Sequence, residues 1–179
     1  MEPTEFLLNT KKKWDFAIVD EGHFLGELTL TIQKELVKSV LAFLNKEEHF
    51  DVLTDLTGID YLEPIKQTKV VYWLQNSRSF ERVRVATYIP RDQMITTVID
   101  LWEGADWYER ELFDLYGVLI EGHPQLTRIL MPDDWIGHPL RKDYALTEEP
   151  VEFKHTAKPK VPSDIITYIG KRDQKYDSI

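Results

Sequence analysis

The stretch from Lys69 to Ile89, KVVYWLQNSRSFERVRVATYI, decides the fold. Its first part, Lys69 to Gln75, is dense in β-branched and aromatic residues, which suit a pleated, half-buried surface. In its last part Val83, Val85, Thr87 and Ile89 alternate with Arg84, Ala86 and Tyr88, so each set occupies one face of a strand. Asn76, Ser77, Arg78 and Ser79 supply turn residues between the two. Just upstream, Phe50 to Tyr61 (FDVLTDLTGIDY) is β-rich, although its alternation is imperfect, and Gly58 reads as a bulge. Three consecutive strands with short links make an antiparallel meander, which Pro90 closes.

Working outward, Phe24 to Ile32 (FLGELTLTI) sets Leu28, Leu30 and Ile32 against Glu27, Thr29 and Thr31, the pattern of a half-buried strand. From Lys34 to Lys46 the period changes, and Leu36, Val37, Val40, Leu41 and Leu44 form the stripe of an amphipathic helix. The spacing predicts a short helix over Ile95 to Trp102 and a longer one over Asp106 to Tyr116, with Gly117 as its cap. The fold class is therefore α+β, a mixed or antiparallel sheet of about four strands with helices packed on one face. Residues 1–23 form an N-terminal segment, 24–118 the α/β domain, and 119–179 an extended, proline-containing segment. Six of the nine prolines lie from Pro124 to Pro162. Ile129, Leu130, Met131, Trp135, Ile136, Leu140 and Tyr144 make this stretch too apolar for a solvated linker, so it is expected to lie against a partner.

Composition narrows the function. Lys and Arg total 22 against 31 Asp and Glu, a formal charge of −9 that disfavours binding to nucleic acid or anionic lipid. Lys11 to Lys13 reads as a solvated terminal segment. No apolar run approaches the roughly 20 residues of a membrane span, and the N-terminus has no secretory pattern, so a cytosolic location is expected. Cysteine is absent, which excludes a disulfide, a cysteine nucleophile and a thiolate-held iron–sulfur cluster in this chain.

The candidate functional residues cluster late in the sequence. Glu109, Arg110, Glu111 and Asp114 crowd one predicted helix, where Arg110 and Asp114, four apart, are expected to pair. Gly122-His123-Pro124 returns as Gly137-His138-Pro139, with Asp133 and Asp134 between. The two histidines could ligate a metal, but the spacing fits no short zinc pattern, and two rigid turns are the simpler reading. Arg141, Lys142 and Asp143 suit charge-assisted docking. Nucleotide-binding and serine-hydrolase motifs do not occur.

Glu109-Arg-Glu-Leu-Phe-Asp114-Leu-Tyr-Gly117-Val, Glu121-Gly-His-Pro124, Arg128-Ile-Leu-Met-Pro-Asp-Asp-Trp135 and Gly137-His-Pro-Leu-Arg-Lys-Asp-Tyr144 together resemble the signature of the respiratory complex I 30-kDa subunit family. The resemblance extends more loosely through Leu53 to Tyr61 and back to about Gly26. Gln125, Thr127 and Ile120 depart from residues frequent in that family. The resemblance implies a cofactor-free subunit in the quinone module of a bacterial proton-translocating NADH:quinone oxidoreductase. FMN and iron–sulfur clusters would then sit in partner subunits, on the cytoplasmic side of the inner membrane. It implies the "B" and "D" subunits as neighbours, with the C-terminal segment over "D", and the ferredoxin-like "I" subunit as a further candidate. The residues singled out as interface are Glu109, Arg110, Glu111, Asp114, His123, Arg128, Met131, Trp135, His138, Arg141, Lys142, Asp143 and Tyr144; none is expected to be catalytic or to hold a cofactor. The alternatives are the equivalent subunit of a ferredoxin-linked plastoquinone oxidoreductase or membrane-bound hydrogenase, a stand-alone metal-dependent hydrolase using His123, His138, Asp133 and Asp134, and a scaffold outside redox machinery.

Overall fold

The computed structural model describes residues 4–62, 64, 66–91 and 93–144; the part of the predicted docking segment beyond Tyr144 lies outside them. Strands β1 (Ile18–Phe24), β2 (Glu27–Ile32), β3 (Val52–Tyr61), β4 (Gln67–Gln75) and β5 (Arg82–Pro90) form one sheet in the order β1-β2-β5-β4-β3. β2 and β5 run parallel and the other neighbours antiparallel, so the sheet is mixed. The parallel pair is joined through α2 (Val37–Lys46), β3 and β4, because parallel neighbours need a crossover rather than a hairpin.

Register turns the alternation seen in the sequence into a core. Leu28 faces Val83 and Leu30 faces Val85, while Leu74, Tyr72 and Val70 continue that face across β4. All of these are buried, and the α2 residues Val37, Val40, Leu41 and Leu44 join them in one cluster. Leu30 is fully buried, so its truncation to Ala would cost about 2–5 kcal/mol in lost burial and cavity. The opposite face carries Trp73 under the Arg84 guanidinium at 4.8 Å and Tyr88 under the Lys69 ammonium at 5.3 Å.

Helix α3 (Ala105–Tyr116) packs over β3 at Gly58. A Cβ on Gly58 would sit 2.9 Å from Leu112 Cδ1 and 3.0 Å from Tyr116 Cδ2. Gly58 therefore provides room for a helix, not a bulge; the register shift in β3 lies between Leu53 and Asp55. The expected helix over Ile95 to Trp102 is also corrected. Met94–Thr96 forms β6, paired in parallel with β7 (Leu119–Glu121), and tight turns follow it. Ile95, Val98 and Trp102 are buried at a spacing that imitates a helix, but the pairing strand comes after α3 and is invisible to local periodicity.

The N-terminal segment contributes α1 (Glu5–Trp14) and β1. Phe6 and Leu7 of α1 are buried, and the Phe6 ring meets Phe50 edge-on at 5.0 Å. Lys11 and Lys13, expected to be solvated and terminal, lie in this helix and pair with Glu21 at 2.6 Å and Glu47 at 2.5 Å. Among the described residues no helix is long and apolar enough to cross a membrane.

Candidate docking site

A helix end leaves its last carbonyls without intrahelical donors and gathers partial negative charge. At α3 the chain turns in the left-handed conformation at Gly117, φ +69°, with its N–H donating to Phe113 O at 2.8 Å. The carbonyls left over are met by residues that follow. Asp114 O accepts from His138 Nδ1 at 2.9 Å and Arg128 Nη1 at 3.3 Å, and Leu115 O accepts from the Leu140 amide at 3.0 Å. Tyr116 O and Gly117 O accept from Arg141 Nε and Nη2 at 2.5 and 3.0 Å. Any Cβ at Gly117 would collide with the Arg141 guanidinium and the His138 ring. Two cationic side chains thus cap the negative pole and fold the proline-bearing segment back onto the helix.

The side chain of Asp114 organises this turn. It is fully buried; Oδ1 accepts from Arg128 Nη1 at 2.6 Å, and Oδ2 accepts the amides of Ile129, Leu130 and Met131 at 3.1, 2.8 and 2.8 Å. Three consecutive amides converging on one oxygen form an anion-binding concavity. Burial alone would raise the Asp114 pKa, but the Met131 amide, the Arg128 guanidinium and the other two amides outweigh it and hold the carboxyl below its ordinary range. Arg128 also donates through Nη2 to Trp135 O and Gly137 O, each at 3.0 Å. Asp114 and Arg128 are therefore the pair, and the expected Arg110–Asp114 bridge is replaced. Arg110 instead donates to Thr127 O and Arg128 O, each at 3.2 Å, and stacks on Trp107 at 5.1 Å. Helical spacing permitted the first pairing, but the carboxylate faces the returning chain.

Glu109 serves the N-terminal half of α3. It is buried, and its carboxylate accepts from the Val98 amide and the Thr97 hydroxyl, both at 2.7 Å, tying the turn after β6 to the helix. Burial raises its pKa against the opposing effect of those donors and of His123. The His123 side chain is enclosed, with Nε2 3.2 Å from Asp106 Oδ1 and Nδ1 accepting the Gln125 amide at 3.0 Å. His123 thus contacts Asp106, whereas His138 contacts Asp114, eight residues further along the helix. At 1.5 Å per residue the two contact points lie about 12 Å apart along the helix, so the histidines serve two separate turns. Burial lowers the His138 pKa despite its hydrogen bond to Asp114 O, and Arg141 and Arg128 push it the same way.

A third node fastens the segment to the sheet. The Lys142 amide donates to Asp60 Oδ2 at 2.8 Å, which also accepts from Arg91 Nη2 at 2.6 Å. Asp143 pairs with Arg91 and, at 3.5 Å, with Lys66. Tyr144 closes a turn through its amide to Arg141 O at 3.0 Å, and its ring lies against Gly137, where φ is +84°. Asp60, Arg91 and Lys66 were not foreseen. The one available signal was an acid on the core face of β3, aligned with Thr68. Met131 and Trp135 are half-buried and Glu111 is exposed. Trp107, Leu119, Leu130, Ile136 and Leu140 stay exposed after this packing. The segment's backbone is thus satisfied from within the chain, while several of its apolar side chains are not covered.

The arrangement joins α3, the sheet and residues 122–144. It is a set of buried charge-assisted contacts that give one shape to an otherwise irregular segment. Residues 30–150 match the family described as respiratory-chain NADH dehydrogenase, 30 Kd subunit. The C subunit of the NADH-quinone oxidoreductase of Geobacter sulfurreducens is 42% identical over 149 residues, which cover 81% of this chain and 91% of that protein. The C/D subunit of the same enzyme from Bdellovibrio bacteriovorus is 37% identical over 151 residues, 80% of this chain and 27% of that longer protein. A chain of the membrane-bound sulfane sulfur reductase, an archaeal respiratory membrane complex, has the same fold at 21% identity, with a TM-score of 0.70 over 98% of this chain and 97% of its own length. The match to the family over most of the folded unit, with relatives of about the same length at this identity, establishes that the chain belongs to the respiratory-chain NADH dehydrogenase 30 Kd subunit family.

Proposed function

We propose that this chain is a docking subunit of the quinone module of a bacterial NADH:quinone oxidoreductase, with no cofactor or catalytic group of its own. The observation that carries this is the Asp114–Arg128 turn. It holds residues 122–144 against α3 through buried polar contacts and leaves Leu130, Ile136 and Leu140 facing outward. Exposed apolar side chains on a rigidly held segment suit burial by another subunit. In this reading electrons pass from NADH through FMN and iron–sulfur centres held by neighbours, and this chain keeps those neighbours in register. Seven of the thirteen residues read as interface from the sequence take distinct places in this reading. Asp114, Arg128, His138 and Arg141 shape the surface, and Glu111, Lys142 and Asp143 lie on its polar rim.

A relative whose name joins C and D in one chain supports the large D subunit as a neighbour. The B subunit and the ferredoxin-like I subunit follow only from the wider family resemblance, as does a peripheral position on the cytoplasmic side of the inner membrane. Relatives at about 40% identity named as NADH-quinone oxidoreductase subunits favour that complex over ferredoxin- or hydrogen-linked sister complexes. The test is purification of the tagged full-length chain from its native membranes, with metal and flavin analysis of the chain alone. Co-purification with the cluster-bearing and large quinone-module subunits, and no metal or flavin on the isolated chain, is expected. A free monomer holding stoichiometric zinc would overturn the proposal.

A further inference from the structure

Two buried carboxylates lie on α3, and only one of them has a cation of its own. Asp114 has Arg128 at 2.6 Å. Glu109 is 2% exposed, and among the described residues no Lys or Arg pairs with it. Its carboxylate accepts two hydrogen bonds, the Val98 amide on Oε1 and the Thr97 hydroxyl on Oε2. The titratable groups that face it are Asp106 on the same helix, His123 after β7 and Tyr72 of β4. His123 Nε2 stands 4.0 Å from Glu109 Oε2 but 3.2 Å from Asp106 Oδ1, so one imidazole serves two carboxylates. Even a protonated His123 is one cation against two anions. Its second proton would also set Nδ1–H against the Gln125 amide, which now donates to Nδ1. Burial, and then Glu109, pushes the Tyr72 hydroxyl up, so it stays neutral. A carboxyl enclosed in this way favours its protonated form.

Glu109 sits where three pieces of chain meet. Thr97 and Val98 lead out of β6, the Thr97 amide donates to Glu121 O at 2.9 Å, and a Cβ on Gly122 would lie 3.3 Å from Thr97 Cγ2. Thr97 therefore stands between Glu109 and the residues that open the docking segment. A hydroxyl can donate or accept, so the Thr97 contact survives when the carboxyl carries a proton, and Oε1 still accepts the Val98 amide. We infer that Glu109 is a proton-operated latch: protonated, it holds the β6–α3 turn and the root of residues 122–144 firmly, and once its proton is lost to solvent the same contacts enclose an unpaired charge and hold less firmly. Burial raises the Glu109 carboxyl above its ordinary 4.5, in the same sense. The folded chain then binds this proton more tightly than the unfolded chain. Its contribution is complete below 4.5 and is lost as pH rises through the folded value. Asp114, on the same helix, titrates with the opposite sign. None of this depends on which subunit covers residues 122–144.

The test follows backbone amides of the purified full-length chain by NMR between about pH 4 and 8. The Val98 amide, bonded to Oε1, should shift with a midpoint above 4.5, and the Gly122 amide should shift with it. Glu109→Gln keeps an acceptor for Val98 and a donor for Thr97, and should abolish both shifts. Its urea midpoint should gain on the wild type as pH rises, because the variant encloses no charge. Thr97→Val removes one of the two donors and should move the Val98 midpoint higher still. A Val98 midpoint at or below 4.5, shifts that survive Glu109→Gln, or a Gln variant that loses ground to the wild type as pH rises would overturn the inference. A Val98 shift beside a flat Gly122 amide would overturn it too, since the acid would then titrate without holding the root of the docking segment.

Discussion

Replacing Asp114 with Asn changes one atom and should loosen the whole turn after α3. The Asn side chain can still offer a carbonyl oxygen to the amides of Ile129, Leu130 and Met131. Its amide nitrogen must then face Arg128 Nη1, now 2.6 Å from Oδ1, so donor meets donor where an ion pair stood. Removing one member of a buried pair costs about 3–5 kcal/mol. The Arg128 side chain is 15% exposed and keeps three backbone carbonyls, so the lower end applies, about 3 kcal/mol. Against a total stability of about 5–15 kcal/mol the variant stays folded, with a thermal midpoint lower by roughly 6–12 °C for a chain of this length. Urea unfolding of the full chain at pH 7 reads the loss, and limited proteolysis should locate early cleavage within residues 122–144. The pH dependence has a definite sign. The folded pKa of Asp114 is depressed, so its contribution is complete above the ordinary value of 3.8 and is lost as pH falls through the folded value. The gap between wild type and variant should therefore shrink on acidification below that point. A loss under about 1 kcal/mol at pH 7, or a gap that widens in acid, would refute the reasoning.

Three further outcomes follow from the same geometry. Gly58→Ala should destabilise the chain by about 1–3 kcal/mol through overpacking, since its Cβ would sit 2.9 Å from Leu112 Cδ1; calorimetry showing no change would mean that α3 does not lie there. His138 has a depressed folded pKa, so its contribution is present above 6.5 and is lost as pH falls through the folded value. His138→Asn, which can keep a donor toward Asp114 O, should flatten the stability profile between about pH 7 and 5, as read by urea midpoints across that range. Arg110→Met should cost the purified chain about 1–3 kcal/mol through two lost charged hydrogen bonds and should lower incorporation into the complex; unchanged stability by urea titration would show that the Thr127 and Arg128 carbonyls do not depend on it.

The parts legible in the sequence were those whose partners lie within one element or one turn. The stripe Val37, Val40, Leu41, Leu44 and the alternation Val83, Val85, Thr87, Ile89 each report a single buried face, and both stand as expected. β1 escaped because an edge strand with a mostly exposed or half-exposed surface leaves no hydrophobic alternation. Ile95, Val98 and Trp102 misled because burial beneath α3 and pairing with β7 imitate helical spacing. At the site, charge density and the two Gly-His-Pro turns marked the right region, and the partner of Asp114 was missed. Arg128 lies 14 positions away, beyond any helical rule, and the Asp60–Lys142 contact spans 82. Gly58 was recognised as special for the wrong reason, since only the packed helix shows what its missing Cβ accommodates.

The most direct test of the docking account is to introduce Asp114→Asn into the native complex and measure both the amount assembled and NADH-to-quinone turnover per assembled complex. The account predicts less assembled complex, with turnover and quinone affinity per complex unchanged. Full assembly with a selectively altered quinone step would contradict it, because this chain would then act on the reaction rather than on the arrangement of its neighbours.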